Sequence, residues 1–142
     1  MLTPDLLLGG WQLESSRVLI RGKVHSSFDP NNLRIKLFAP QHFSIFTRKP
    51  DRKSFSREIS DSERLEAAKS FDACCGRYTL CGSTYTEMID FASFPNYEGK
   101  VIRFRLTFDG QHLIQEGIYP LKSLGFQDHD GYLFETYSRV NL

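Results

Sequence analysis

Short runs of alternating apolar and polar residues, each bounded by turn-forming residues, recur along this 142-residue chain. Because successive side chains of a β-strand point to opposite faces, such alternation is typical of strands with one buried face. The runs predict an all-β domain of eight or nine antiparallel strands. The predicted strands lie within Gly10–Val24 (two strands or one bent strand), Leu33–Phe38, His42–Arg48, Gly76–Leu80, Tyr85–Phe91, Lys100–Phe108, His112–Tyr119 and Tyr132–Val140.

The residues between these runs predict how the strands are connected. Ala39-Pro40-Gln41 and Cys81-Gly82-Ser83 each separate two runs, and Asp109-Gly110 predicts a type I′ turn, because Asp and Gly tolerate positive φ. Strands that are neighbours in sequence therefore pair in space. Such a meander either stacks as a sandwich or closes as an up-and-down β-barrel, and we expect the closed antiparallel barrel, because closure removes exposed strand edges.

One segment, Ser60–Phe71, departs from the strand pattern. Ser60 or Ser62 would cap a short helix whose first turn carries acidic residues. Helical spacing would turn Leu65, Ala68 and Phe71 inward. Two interpretations follow: a packed surface helix in a long connection, which we favour, or a lid over one end of the barrel.

The length and charge of the chain limit its possible partners. At 142 residues a single domain spanning residues 1–142 is expected. Lys and Arg number 18 against 17 Asp and Glu, so net charge gives no general attraction to nucleic acid or to a membrane surface. The basic run between Arg48 and Arg57 is interpreted as a solvated loop rather than as a site for a phosphate or an acidic partner.

Cysteine and histidine spacing predicts no metal site and no disulfide framework. The chain has three cysteines without a C-x-x-C pair, and four scattered histidines. No phosphate-binding loop or nucleophile elbow occurs either, so no cofactor is expected. The run Leu6–Leu8 is too short for a membrane span. We expect a cytoplasmic protein without membrane insertion, a monomer or a homodimer; a leader removed from a natural precursor stays an open alternative.

Four segments of the chain carry motifs of a known family. They are Gly9-Gly10-Trp11, with the pattern G-x-W on a first strand, and the segments LFAPQHFSIFTRKPD (37–51), GRYTLCGSTYTEMIDF (76–91) and FETYSRV (134–140). The first matches the lipocalin G-x-W signature, and the other three resemble recurring strands of the bacterial lipocalin-like domain proteins. The chain departs from the family pattern at Met88, where a histidine is expected, and at Tyr137, which replaces a tryptophan.

The resemblance implies a calycin barrel with an internal cavity and the binding of a small hydrophobic molecule. It also implies a structural role for Trp11, which would close one end of the barrel under a stacked Arg139. The cation–π contact between the two side chains would contribute about 0.5–2 kcal/mol. The glycines beside Trp11 would permit a close backbone approach.

Strand alternation predicts which side chains enter the barrel. On the predicted run Tyr85–Phe91, the residues Tyr85, Glu87, Ile89 and Phe91 form the more apolar set and should face inward. On the next run the inward set is Ile102, Phe104, Leu106 and Phe108, whereas the arginines between them face solvent. On the last strand, Arg139 over Trp11 would place Glu135 inside, although Phe134 competes for the interior.

Two carboxylates inside a barrel require compensation. Burying an ionised carboxylate costs several kcal/mol unless it is paired or hydrogen-bonded, so Glu87 and Glu135 should contact a cation or a tyrosine, or take up a proton. We favour a structural hydrogen bond to Tyr78, Tyr85 or Tyr137 over catalysis. An inward His42 would form a carboxylate–histidine pair with Glu87, but a strand-end histidine is by default a rim residue.

Two functions from different classes follow. The first is binding of a small hydrophobic ligand, oriented by polar anchors. The second is a cofactor-independent cyclase or isomerase, in which Glu87, Glu135 or His42 transfers a proton. A third possibility is a barrel filled solidly by its phenylalanines, which would contact a partner through its rim. The candidate ligand-binding residues are Tyr78, Tyr85, Glu87, Phe91, Phe104, Tyr119 and Tyr137.

Overall fold

A computed structural model of the chain describes residues 2–140. Nine antiparallel strands form one sheet, in which the first strand pairs with the third and the later strands follow in chain order. The first strand also pairs with the last, so the sheet closes. The strands are β1 (Gly9–Ile20), β2 (Lys23–Ser27), β3 (Leu33–Ala39), β4 (His42–Arg48), β5 (Phe71–Cys81), β6 (Thr84–Ala92), β7 (Val101–Phe108), β8 (His112–Tyr119) and β9 (Gly131–Val140). Eight of them form the barrel, and β2 pairs with β1 beside the closed ring.

Short helical segments occupy the connections. They are α1 (Pro4–Leu7), α2 (Asp61–Lys69), α3 (Leu121–Leu124) and a 3₁₀ turn at Pro95–Tyr97. Among the described residues, no helix is both long and apolar enough to span a membrane. The predicted closed barrel with one helix in a long connection is therefore confirmed.

The first predicted run is a hairpin. Its turn lies at Arg21 and Gly22, which both have positive φ (52° and 77°). At the turn between β7 and β8 the prediction of type I′ is wrong. That type requires positive φ at both central residues, whereas only Gly110 in this turn has it. The Asp109 carboxylate instead accepts hydrogen bonds from the backbone N–H groups of Gln111 (2.8 Å) and His112 (2.6 Å).

A bulge in β6 overturns one inward assignment. Gly76 on β5 pairs with Ile89, but the adjacent Cys75 pairs with Phe91, which leaves Asp90 as an extra residue. Side-chain alternation inverts across such a bulge. Phe91 is consequently 69% exposed on the outer surface and does not face the lumen. A Cβ at Gly76 would lie 2.0 Å from the Met88 carbonyl oxygen, so only glycine fits opposite the bulge.

Helix α2 begins where the sequence predicts, because Ser60 and Glu63 form a reciprocal capping box. The predicted inward face is wrong. None of the helical residues is buried; Leu65 is 54% exposed and Ala68 is exposed as well. Phe71 lies beyond the helix on β5, where its ring packs near that of the exposed Phe46. Helix α2 is thus a surface helix of the connection between β4 and β5.

Candidate functional site

One end of the barrel is closed around Trp11. Its side chain is 1% exposed, and its indole N–H donates to the Leu7 carbonyl (2.9 Å) in α1. The Arg139 guanidinium carbon lies 3.9 Å from the centre of the indole ring. That guanidinium also donates to the carbonyls of Leu8 (2.7 Å) and Leu6. The stack expected from the resemblance is present, and it ties α1 across the end of the barrel.

The opposite end holds an open cavity of about 580 Å³. Its mouth lies between the β1–β2 hairpin and the connections that precede β7 and β9. About half of the lining residues are aliphatic or aromatic, and they contribute most of the exposed lining surface; nearly as many are polar or charged. The apolar lining includes Val18, Phe28, Ile45, Ile89, Phe94, Tyr97, Ile102, Phe104, Tyr119, Phe126 and Leu133, and the polar lining includes Ser16, Arg34, Thr47, Glu87, Gln115 and Glu135.

A buried ion pair lies at the floor of this cavity. The Lys36 Nζ is fully buried and donates to Glu87 Oε2 (2.6 Å) and Gln115 Oε1 (2.8 Å). The Tyr85 hydroxyl donates to the same Glu87 oxygen at 2.7 Å. The Lys36 ammonium also lies 4.7 Å from the centre of the Tyr85 ring, within cation–π range. Glu87 is therefore compensated by both a cation and a tyrosine.

A second ion pair lies against the cavity wall. Arg34 Nη1 donates to Glu135 Oε2 (3.0 Å), which also accepts a hydrogen bond from the Ser16 hydroxyl (2.8 Å). The other Glu135 oxygen accepts from the Tyr137 hydroxyl (2.9 Å). Arg34 Nε donates to the Thr47 hydroxyl at 2.8 Å. Both oxygens of Glu135 are thus occupied by protein groups.

Burial keeps the phenols and the thiol near the cavity protonated. It raises the pKa of Tyr85 and of Tyr137 well above the ordinary value. The adjacent Glu87 carboxylate raises the pKa of Tyr85 further, and the Glu135 and Glu87 carboxylates raise that of Tyr137. Tyr119, whose hydroxyl is 2.6 Å from that of Tyr97, also has its pKa raised, mainly by burial. Burial raises the pKa of the Cys74 thiol to about 12. These groups can donate hydrogen bonds, but they are poor bases and nucleophiles at neutral pH.

The predicted ligand-binding residues separate into three groups. Glu87, Phe104 and Tyr119 line the cavity. Tyr78, Tyr85 and Tyr137 are buried outside the cavity lining, where they fill the lumen toward the closed end. Phe91 lies on the outer surface.

The structure agrees with the default interpretation of His42 as a rim residue, and the alternative carboxylate–histidine pair does not form. His42 is exposed at the closed end of the barrel, with its Nδ1 3.3 Å from the Pro40 carbonyl oxygen. Strand β4 begins at His42, and its alternation buries Phe43, which turns the imidazole outward. His42 is therefore a rim residue and makes no hydrogen bond to Glu87, whose described partners are Lys36 and Tyr85, while Glu135 is held by Arg34 and Tyr137.

Three polar residues of the site, Lys36, Arg34 and Gln115, were not predicted from the sequence. On β3 the more apolar set, Leu33, Ile35 and Leu37, would be chosen as the inward face, yet Lys36 and Phe38 are the buried residues. A usable signal exists in the register, since residues directly opposite on antiparallel strands point to the same face. Trp11 pairs with Lys36, so an inward tryptophan requires an inward lysine.

A family model and a similar solved structure with a TM-score of 0.51 agree with this architecture. A family model described as "Lipocalin-like domain" matches residues 8–139. The crystal structure of a lipocalin-like protein from Bacteroides uniformis ATCC 8492 is similar, with a TM-score of 0.51 and 14% identity, over 94% of this chain and 98% of that one. An uncharacterized protein from Bacteroides eggerthii DSM 20697 gives a TM-score of 0.47 and 14% identity, over 92% and 99%. No curated protein matches the chain.

Proposed function

The chain belongs to the family of lipocalin-like domains, and we propose that it binds a small hydrophobic molecule in the open end of its barrel. The observation that carries the proposal is the cavity of about 580 Å³ with a mainly apolar lining and a polar floor. Concave, largely apolar sites with a few placed polar groups are the usual form of small-molecule sites.

The distribution of side chains along the lumen supports binding over a solid interior. Phe38, Phe43, Tyr78, Tyr85 and Tyr137 pack the half of the lumen next to Trp11. The other half encloses the open cavity. Burial of apolar ligand surface there contributes about 25 cal/mol per Å², so an alkyl or aromatic body would supply most of the affinity.

Two tryptophan substitutions on adjacent residues of β7 test the proposal. Ile102 is 4% exposed and lines the cavity, whereas Val101 is 61% exposed on the outer surface. Titration with the neutral fluorescent probe N-phenyl-1-naphthylamine should show saturable binding to the wild-type protein. We expect Ile102→Trp to weaken this binding at least tenfold, because an indole would fill the cavity. Val101→Trp should leave it unchanged.

Circular dichroism and thermal unfolding establish that both variants are folded. Should Ile102→Trp fail to fold, Ala92→Phe takes its place, because Ala92 is half-buried and also lines the cavity. Absence of saturable binding to the wild-type protein would overturn the proposal. Equal binding by the folded cavity variant and by Val101→Trp would do the same.

A further inference from the structure

Two polar atoms on the cavity floor have no partner within the protein. Glu87 accepts both of its hydrogen bonds through Oε2, and none of residues 2–140 donates to its Oε1. Gln115 accepts from Lys36 through Oε1, and its Nε2 donates to none of these residues. The two residues are only 5% and 3% exposed.

These two atoms face the cavity. In the described part of the chain, every fully buried side-chain nitrogen or oxygen has a hydrogen-bond partner, so Glu87 Oε1 and Gln115 Nε2 keep accessible surface. Both residues line the cavity, and both contact the same Lys36 ammonium, which holds them side by side. The floor thus presents one acceptor and one donor next to each other.

The Lys and Arg side chains around the cavity are already paired with protein carboxylates. Four lining residues are carboxylates, namely Asp29, Asp72, Glu87 and Glu135, and the basic residues of the described lining are Arg34 and the exposed His25 on β2. Arg34 is already paired with Glu135, and the Lys36 behind the floor is paired with Glu87. A ligand carboxylate buried here would bring a charge without a counter-charge, which is costly.

From this arrangement we infer that the ligand ends in a neutral group with one hydrogen-bond donor and one acceptor, of which a primary carboxamide is the simplest, and not in a carboxylate. The inference rests on the proposed function and names the class of molecule for the same cavity. The amide N–H donates to Glu87 Oε1, and the amide carbonyl accepts from Gln115 Nε2. An ammonium group fits less well, because it would share Glu87 with the Lys36 ammonium only 2.6 Å from that carboxylate.

A set of ligands with the same alkyl body tests the inference on the wild-type protein. Decanamide, methyl decanoate, decanoate and decylamine are titrated at pH 7.5 in competition with N-phenyl-1-naphthylamine. Decanamide should bind at least tenfold more tightly than decanoate and decylamine, which are charged at this pH. It should also bind more tightly than methyl decanoate, which accepts a hydrogen bond but donates none.

A substitution at the floor should reverse the preference. Glu87→Gln leaves the Lys36 ammonium without a counter-charge, so decanoate should gain at least tenfold in affinity and decanamide should not. Glu116→Gln is the matched control. It removes the same charge from β8 next to Gln115, but Glu116 lies outside the cavity lining, so its ligand preference should equal that of the wild-type protein.

The outcomes separate the inference from the proposed function. Decanoate, decylamine or the methyl ester binding as tightly as decanamide would overturn the inference and leave hydrophobic binding intact. Failure of the probe and all four ligands to bind would overturn the proposed function, and the inference with it. A folded Glu87→Gln variant with unchanged preference would also contradict the inference, and if that variant does not fold the wild-type series decides.

Discussion

Replacing Lys36 by methionine tests whether the floor is held by an ion pair. Lys36 is fully buried, and its ammonium is the cation that compensates Glu87. Methionine is unbranched and of similar length, so it can occupy the space of the lysine stem. After the substitution Glu87 keeps a hydrogen bond only from Tyr85. Its charge stays on a residue that is only 5% exposed to solvent.

The expected cost follows from this geometry. Breaking a buried ion pair by removing one partner costs about 3–5 kcal/mol. With an unfolding entropy of roughly 2.1 cal/mol/K per residue, a chain of 142 residues loses about 0.3 kcal/mol per degree near its midpoint. Lys36→Met should therefore lower the Tm by about 10–17 °C. Adding Glu87→Gln to it should recover a large part of the loss, because the charge is gone and the new amide can still accept from Tyr85.

Urea unfolding followed by the fluorescence of Trp11, the single tryptophan, measures these free energies. Arg77→Met serves as the control, since the Arg77–Asp90 pair is an exposed ion pair on the outer surface and its loss should not move the midpoint measurably. A cost below about 1 kcal/mol for Lys36→Met would refute the argument. So would a double variant that loses as much stability as the two single variants together.

Two further predictions concern the bulge and helix α2. Gly76→Ala should lower stability by about 1–3 kcal/mol or more, because its Cβ would lie 2.0 Å from the Met88 carbonyl oxygen; urea unfolding at wild-type stability would contradict this. Hydrogen bonds from Ser56 and Ser60 lower the pKa of Glu63 from 4.5 to about 2. The contribution of the ionised Glu63 to the free energy of unfolding is therefore complete above pH 4.5 and is lost as pH falls toward 2. An NMR titration of the Glu63 carboxyl carbon with a midpoint near 4.5 would contradict the second prediction, and Glu63→Gln should abolish that part of the pH dependence.

Most of the fold could be predicted because it depends on local signals. Strand β4 and strand β8 begin and end at the predicted residues, and Ser60 caps α2 as expected. Closure of the meander was also predictable, because an open sheet of this size would leave two exposed edges. The position of Phe91 was not, since the bulge at Asp90 depends on how β6 pairs with Gly76 on another strand.

The candidate site could be predicted only in part, and the reason is again the pairing between strands. The alternation of side chains along the strands predicted that Glu87 and Glu135 point into the barrel. Because burying an unpaired carboxylate is costly, each was also expected to have a hydrogen-bond or ion-pair partner. The sequence predicted the tyrosines Tyr85 and Tyr137 as partners but did not identify the cations. Lys36 looks like a surface residue on a strand whose other face is more apolar, and only its register opposite Trp11 turns it inward.

The polar floor supports a role in binding, because stability alone does not require it. A buried ion pair is generally no more stable than well-packed apolar residues of the same volume, so a lumen filled with leucine and phenylalanine would fold at least as well. Lys36 on β3 reaches Glu87 on β6, and Arg34 on β3 reaches Glu135 on β9, in both cases between strands that share no backbone hydrogen bonds. These contacts neutralise the charge of both cations. What they leave toward the cavity is the uncharged amide of Gln115 and one oxygen of a carboxylate already neutralised by Lys36, a surface that can orient a neutral polar group at the end of an apolar body.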